Sequence, residues 1–198
     1  MITQLSQLDL NGEYSYADYL TWQFNERVEL IKGKIMAMSP APTVRHQTIS
    51  MNLTGKLFNF FSGKKCRVFA APFDVRLYDR KKSLLQNQDV ITVVQPDLCV
   101  ICDTALLDKR GCNGSPDLII EILSKGNFKH DLRTKFTLYQ EAGVNEYWVV
   151  RPYEKSIEQF VLNAADKYQT QAIYVDDDYL QCHLFPDLQI DLTDVFMD

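Results

Sequence analysis

Pro116-Asp117-Leu118-Ile119-Ile120-Glu121, continued by Ile122-Leu123, is an apolar strand with a carboxylate set into it. A second strand of the same kind, Pro96-Asp97-Leu98-Cys99-Val100-Ile101, precedes it, and a helical pattern carrying Asp131 and Lys135 follows. An ionised carboxylate is costly inside strands this apolar unless it binds a cation or receives hydrogen bonds, so Asp97 and Glu121 each call for a partner.

Strand geometry sorts the acids. Asp117 and Glu121 share a face, yet at about 3.3 Å per residue they stand roughly 13 Å apart, too far to share an ion. Asp97 lies on the preceding strand, where a neighbouring backbone about 4.8 Å away would set its carboxylate beside Glu121. Magnesium accepts one or two carboxylates and completes its shell with water and phosphate oxygens, so this pair would suffice, with manganese as a substitute. Leu132, Phe136 and Tyr139 turn one side of the following helix inward, and Lys135 flanks that side with a stem long enough to reach in. A divalent cation and an ammonium together suit phosphodiester hydrolysis, in which a water must be activated and charge on phosphorus neutralised.

Each member has a plainer reading. Asp131 and Lys135, four apart, form a surface ion pair in the simplest case, and Asp97 after Pro96 begins a strand. Glu121 is the hardest to explain without a site. His46, in the first turn of a long helix, is a candidate accessory group with a cap role as the alternative. Glu29 and Asp74 are accessory acids with half-buried strand positions as theirs. Lys64-Lys65, Arg80-Lys81-Lys82 and Lys109-Arg110 are either phosphate contacts or solvated loop faces.

Around these strands the pattern is mixed α/β. Ser15 can cap a short helix through Tyr16, Tyr19, Leu20 and Phe24, and a hairpin of 28–31 with 34–38 turns at Lys32-Gly33. After Pro40 and Pro42, Thr43 can cap the longest helix, whose Val44, Ile49, Leu53, Leu57, Phe60 and Phe61 recur at helical spacing before Gly63. Residues 66–70 and 73–77 read as one strand bent at Pro72, 79–89 as a polar loop, and 102–115 as a polar connection. Asn127 can cap the helix that Gly143 ends, and 146–150 is a further strand. From 43 to 150 the order is helix, strand, strand, strand, helix, strand, which favours a parallel crossover in a mixed sheet flanked by helices. Residues 151–198 read as an extension of antiparallel strands. The whole chain is expected to be one domain, 1–198, with its core at about 43–150 and an N-terminal helix and hairpin at 15–39.

At 198 residues, 46% hydrophobic and 24% charged, the composition is that of an ordinary globular protein. With no apolar run of roughly 18 residues and no basic leader before an apolar stretch, a cytoplasmic location is expected and membrane insertion is not. Five cysteines are an odd number and argue for reduced thiols over a disulfide framework. Cys99 and Cys102 have CxxC spacing but would face opposite sides of a strand. The net charge of −5 divides unevenly: residues 1–151 hold 19 Lys and Arg against 16 Asp and Glu, and residues 152–198 hold 2 against 10. That balance permits a polyanion on one face but falls short of a strongly basic footprint.

The order of elements and the acidic strands resemble the PD-(D/E)XK nuclease superfamily. More closely, the chain resembles the Uma-type family of restriction-endonuclease-like proteins, formerly a domain of unknown function. The similar passages are Glu29-Leu30-Ile31-Lys32-Gly33, Met38-Ser39-Pro40, Arg45-His46, Ala71-Pro72-Phe73-Asp74-Val75-Arg76, Gln95-Pro96-Asp97, Pro116 to Glu121, and Asp131 through Trp148. The resemblance implies a restriction-endonuclease-like core with Asp97 as a metal-binding acid and Glu121 as the Glu of the ExK element. The superfamily pattern wants a lysine two residues after that Glu, where this chain has Leu123; the resemblance places the relocated lysine at Lys135. The function implied is magnesium-dependent DNA endonuclease, with Asp97, Glu121 and Lys135 catalytic, Asp97 and Glu121 holding the metal, and DNA as partner. The alternatives are a catalytically idle fold that binds nucleic acid or protein, and a homodimer-forming structural protein.

Overall fold

The computed structural model describes residues 2–38, 41–78, 90–124 and 128–197, without the side chains of 128–131. The expected Asn127 cap, the 79–89 loop with Arg80-Lys81-Lys82, and the side chain of Asp131 lie outside the described residues.

In chain order, α1 (Tyr16–Tyr19) is one turn closed by a capping box between Ser15 and Asp18, shorter than the expected run to Phe24. Strands β1 (Val28–Ile31) and β2 (Lys34–Ala37) form the hairpin. Lys32 and Gly33 at its turn have φ of 50° and 81°, the positive pair that a two-residue turn matching strand twist requires. Helix α2 (Val44–Phe61) starts at Thr43, whose hydroxyl accepts the His46 amide at 3.3 Å. Six short strands follow: β3 (Arg67–Ala70), β4 (Val75–Arg76), β5 (Val93–Val94), β6 (Leu98–Ile101), β7 (Leu107–Asp108) and β8 (Gly111–Asn113). Then come β9 (Leu118–Ile122), α3 (Phe128–Ala142), β10 (Glu146–Arg151), β11 (Ser156–Leu162), β12 (Tyr168–Val175), β13 (Tyr179–Gln181), β14 (Gln189–Asp191) and α4 (Leu192–Phe196).

Among the described residues these strands build a main sheet in the order β12-β11-β10-β9-β6-β3, a smaller one in the order β2-β1-β5-β4-β8-β7, and a two-stranded pair of β13 and β14. Traced through the main sheet alone, the chain runs α2, β3, β6, β9, α3, β10, the order read from the sequence. Strand β10 is parallel to β9 across the α3 crossover, and β6 is antiparallel to β9, so the sheet is mixed.

Four expectations change. Residues 66–77 are not one bent strand: β3 belongs to the main sheet and β4 to the smaller one, with Ala71-Pro72 between them. The 102–115 connection contains β7 and β8, and the C-terminal extension ends in α4. The cysteines change most. Cys66 and Cys102 form a disulfide, because β3 and β6 pair with Arg67 opposite Ile101 and the residues one step outward therefore face each other. Cys99, Cys112 and Cys182 are free and buried.

The main sheet is covered on both faces. On one, Leu98, Val100, Leu118, Ile120 and Trp148 pack against Ile49, Leu53 and Leu57 of α2 and against α4. On the other, Cys99, Ile119, Tyr147 and Val149 meet Leu138, Tyr139 and Ala142 of α3 and Val75, Val94 and Cys112 of the smaller sheet. Every residue of β9, Glu121 included, is buried as a result. Among the described residues no helix is long and apolar enough to cross a membrane.

Candidate active site

Leu98 of β6 pairs with Ile120 of β9, so Asp97, one residue before β6, stands opposite Glu121. The Ile122 N–H donates to Asp97 Oδ2 at 2.8 Å, which extends the ladder by one bond and fixes that carboxylate at the strand end. His46 Nε2 lies 3.3 Å from the same oxygen, brought there by the first turn of α2. The His46 imidazole is buried, and its Nδ1 has no partner among the described residues.

Glu121 Oε1 accepts the Tyr139 hydroxyl at 2.6 Å and the Lys135 ammonium at 2.9 Å. Lys135 and Tyr139 are four apart on α3, hence on one face, and that face covers β9. The ammonium also lies 3.0 Å from Glu29 Oε1 of β1, and Glu29 accepts the Gln95 backbone N–H at 2.9 Å. One lysine thus bridges a carboxylate of the main sheet and a carboxylate of the smaller sheet. Glu29, His46, Asp97, Glu121 and Lys135 line a common cavity of about 380 Å³, and Leu123 lines it too.

Electrostatics follow from burial. Loss of water pushes the Glu121 carboxyl up to about 7, the Lys135 charge opposes that rise, and Asp97 and Glu29 add to it. Burial works against the Lys135 ammonium, but Glu121 and Glu29 outweigh it and hold its pKa above the ordinary lysine value. For His46 burial again disfavours the charge, and the Asp97 hydrogen bond and charge, helped by Glu121, raise its pKa on balance.

Asp74 is not brought into this group. Its Oδ1 accepts Gln95 Nε2 at 2.9 Å, while Glu29 accepts the Gln95 backbone N–H, and Asp74 is not among the residues that line the cavity. Asp117 is tied at the other end of β9, where its Oδ2 accepts the Cys102 N–H at 2.7 Å. Tyr139 and Gln95 were not among the candidates drawn from sequence. Tyr139 carried a readable signal in its four-residue offset from Lys135, whereas nothing marked Gln95 beyond its place before Pro96.

Burial alone does not make a site. Glu146, 0% exposed, accepts Trp148 Nε1 at 2.7 Å, Gln159 Nε2 at 2.6 Å and the Leu184 N–H at 2.8 Å, and so satisfies its charge with hydrogen bonds inside the core. Glu121 differs because a second acid, an ammonium and open space meet at it.

Residues 16–193 match the Uma2 family, described as "Putative restriction endonuclease". The chain belongs to the Uma2 family. A solved structure from Anabaena variabilis ATCC 29413, titled as a putative nuclease belonging to DUF820, aligns with a TM-score of 0.70 at 18% identity, covering 92% of this chain and 97% of that one. This Uma2 protein therefore shares that fold. No curated protein matches it.

Proposed function

We propose that this chain is a magnesium-dependent endonuclease of DNA, with Asp97 and Glu121 as metal ligands and Lys135 as the cationic catalytic group. The observation that carries the proposal is the convergence of Asp97 and Glu121 from adjacent strands with the Lys135 ammonium 2.9 Å from Glu121. Among the described residues no cluster of three or more His, Cys, Asp or Glu side chains could hold a metal. The proposed donor set is the carboxylate pair Asp97 and Glu121, and a pair is enough for magnesium, a cation that keeps several waters and takes phosphate oxygens as further ligands. Asp97 accepts the Ile122 N–H through Oδ2, and Glu121 accepts Lys135 and Tyr139 through Oε1. When bound, the ion supplies Lewis-acid polarisation of the phosphoryl group and a more acidic water.

The remaining roles belong to the chain. Ile122 N–H and Tyr139 OH hold the two carboxylates in place before substrate arrives, so no reorganisation is needed at that moment. Lys135, kept charged by Glu121 and Glu29, sets a positive group beside the position where charge develops on phosphorus. The walls of the cavity restrict bulk water around that position.

Supercoiled plasmid and circular single-stranded DNA incubated with magnesium test the proposal. Cleavage that disappears in Asp97→Asn, Glu121→Gln and Lys135→Ala, with the folded state retained in each, is the expected outcome. Cleavage that survives in Asp97→Asn or Lys135→Ala refutes the assignment. The idle binding fold is the second reading, favoured by one observation: Lys135 already neutralises Glu121 within an ion-pair network. It predicts no cutting under any divalent ion and unchanged DNA binding in Glu121→Gln.

A further inference from the structure

Tyr147 is a tyrosine at a position where packing asks only for a ring. In β10 it is 0% exposed, and its ring meets Tyr139 edge-on at 5.2 Å and Phe160 and Tyr168 each at 6.0 Å between centroids. The two neighbouring tyrosines spend their hydroxyls inside the protein: Tyr139 donates to Glu121 Oε1 at 2.6 Å, and Tyr168 to the Val144 carbonyl at 2.9 Å. Tyr147 Oη is buried and has no hydrogen-bond partner among the described residues. A phenylalanine, like Phe160 beside it, would fill the place without burying an oxygen. Because an unpaired buried hydroxyl is costly, this one calls for a partner.

Its surroundings indicate where that partner comes from. Tyr147 lines the cavity shared by Glu29, His46, Asp97, Glu121 and Lys135, and His46 there has its own unpartnered Nδ1. Tyr16 Oη and Gln159 Oε1 are also buried without a partner among the described residues, but neither residue lines the cavity, so burial alone does not single out Tyr147. In the parallel ladder of β9 and β10, Glu121 stands opposite Val149, two residues beyond Tyr147, which puts Tyr147 and Glu121 on one face of the main sheet. With strands about 4.8 Å apart and about 3.3 Å per residue, their Cα atoms are roughly 8 Å apart, a diagonal that aromatic and long side chains bridge. Burial, reinforced by the negative charges of Glu121 and Asp97, holds the phenol protonated, so at neutral pH it is a donor.

Resting on the endonuclease reading above, we infer that Tyr147 is a further catalytic residue, whose hydroxyl donates to a non-bridging oxygen of the scissile phosphate. The nearby carboxylates are not its acceptors: Glu121 Oε1 takes Tyr139 and Lys135, and Asp97 Oδ2 takes the Ile122 N–H. A phosphate brought to Asp97 and Glu121 supplies an acceptor on the same face of the sheet. The ring is held by three aromatic neighbours, so the donor needs no reorganisation as charge develops on the phosphoryl oxygens. It gives a hydrogen bond and transfers no proton.

Tyr147→Phe removes the oxygen and keeps the ring. On plasmid DNA with magnesium it is expected to lower kcat by about 10- to 100-fold, the worth of one hydrogen bond to a charged group, with KM little changed. Its urea midpoint is expected to equal or exceed that of the wild-type protein, since the hydroxyl has no partner to lose among the described residues; a lower midpoint overturns the inference. Contact is read apart from cutting by nuclear magnetic resonance of protein labelled at tyrosine Cζ, with calcium in place of magnesium. The resonance that is absent from Tyr147→Phe is expected to move on addition of thymidylyl-thymidine, which carries one phosphodiester, and to stay in place with thymidine, which carries none. A resonance that ignores the dinucleotide, or moves equally with thymidine, overturns the inference. The two readings therefore fail separately. Movement without any cutting removes the endonuclease and keeps the contact; Asp97-dependent cutting unchanged in Tyr147→Phe keeps the endonuclease and removes the contact.

Discussion

Glu121 sits between two opposing demands, burial that favours its protonated form and a lysine that favours its charge. With its pKa raised from an ordinary value near 4.5 to about 7, the folded state holds this proton where the unfolded chain has released it. The contribution to stability is therefore greatest below about pH 4.5, declines as pH rises toward 7, and stays flat beyond. His46 and Lys135, both raised, act with the same sign: each stabilises below its unfolded value and loses that contribution as pH climbs through its folded one. Glu121→Gln removes the carboxyl's part, so urea unfolding at pH 5.5 and 7.5 is expected to show the variant gaining on the wild-type protein by about 1–3 kcal/mol at the higher pH. An identical difference at both values would mean that Glu121 titrates normally. Magnesium affinity, followed by calorimetry, is expected to rise with pH up to about 7 as the carboxyl gives up its proton.

At the level of elements, the proposed catalytic lysine, Lys135, comes from α3, where the superfamily pattern that the sequence resembles takes it from the strand. Leu123, just past β9, lines the same cavity as Lys135, so the two positions address one space from different sides. Lys135→Leu is expected to abolish cutting, and the double variant Lys135→Leu with Leu123→Lys to regain a measurable fraction, read as initial nicking rate. No recovery would show that the ammonium must arrive from the helix. Much of this geometry was legible in the sequence. Residues 96–101 and 116–123 announced two buried strands; the rise per residue separated Asp117 from Glu121, and the spacing between neighbouring strands brought Asp97 to it. Lys135 became visible through helical spacing together with family resemblance; spacing by itself also allowed a surface pair with Asp131. Strands of two or three residues such as β4, β5 and β7 carry no period long enough to read, so the smaller sheet, and the partnership of Glu29 with Lys135 that depends on it, stayed hidden until the fold was in view. Asp74 was equally hard to place from sequence: it precedes β4 of the sheet that also holds Glu29, and its Oδ1 accepts the Gln95 side chain while Glu29 accepts the Lys135 ammonium.

Across the whole molecule, the Cys66–Cys102 bond closes a loop of sequence separation 36 and ties an edge strand of the main sheet to its neighbour. Loop closure of that length restricts the unfolded chain by about 4 kcal/mol in the chain-entropy account. Cys66→Ser is expected to lower the unfolding free energy by roughly 2–4 kcal/mol in oxidising buffer, and by little in dithiothreitol, as read by chemical denaturation. A variant indistinguishable from the parent in both buffers would show that the thiols do not pair in solution. The bridging ammonium of Lys135 has a different reach, since it fastens β1 of one sheet to β9 of the other through a single point. Opening either layer abandons a charge in the other, which couples their fluctuations. Deuterium uptake at the amides of β1 is accordingly expected to keep pace with that of β9, and to run ahead of it in Lys135→Met, where the hairpin can breathe without its neighbour.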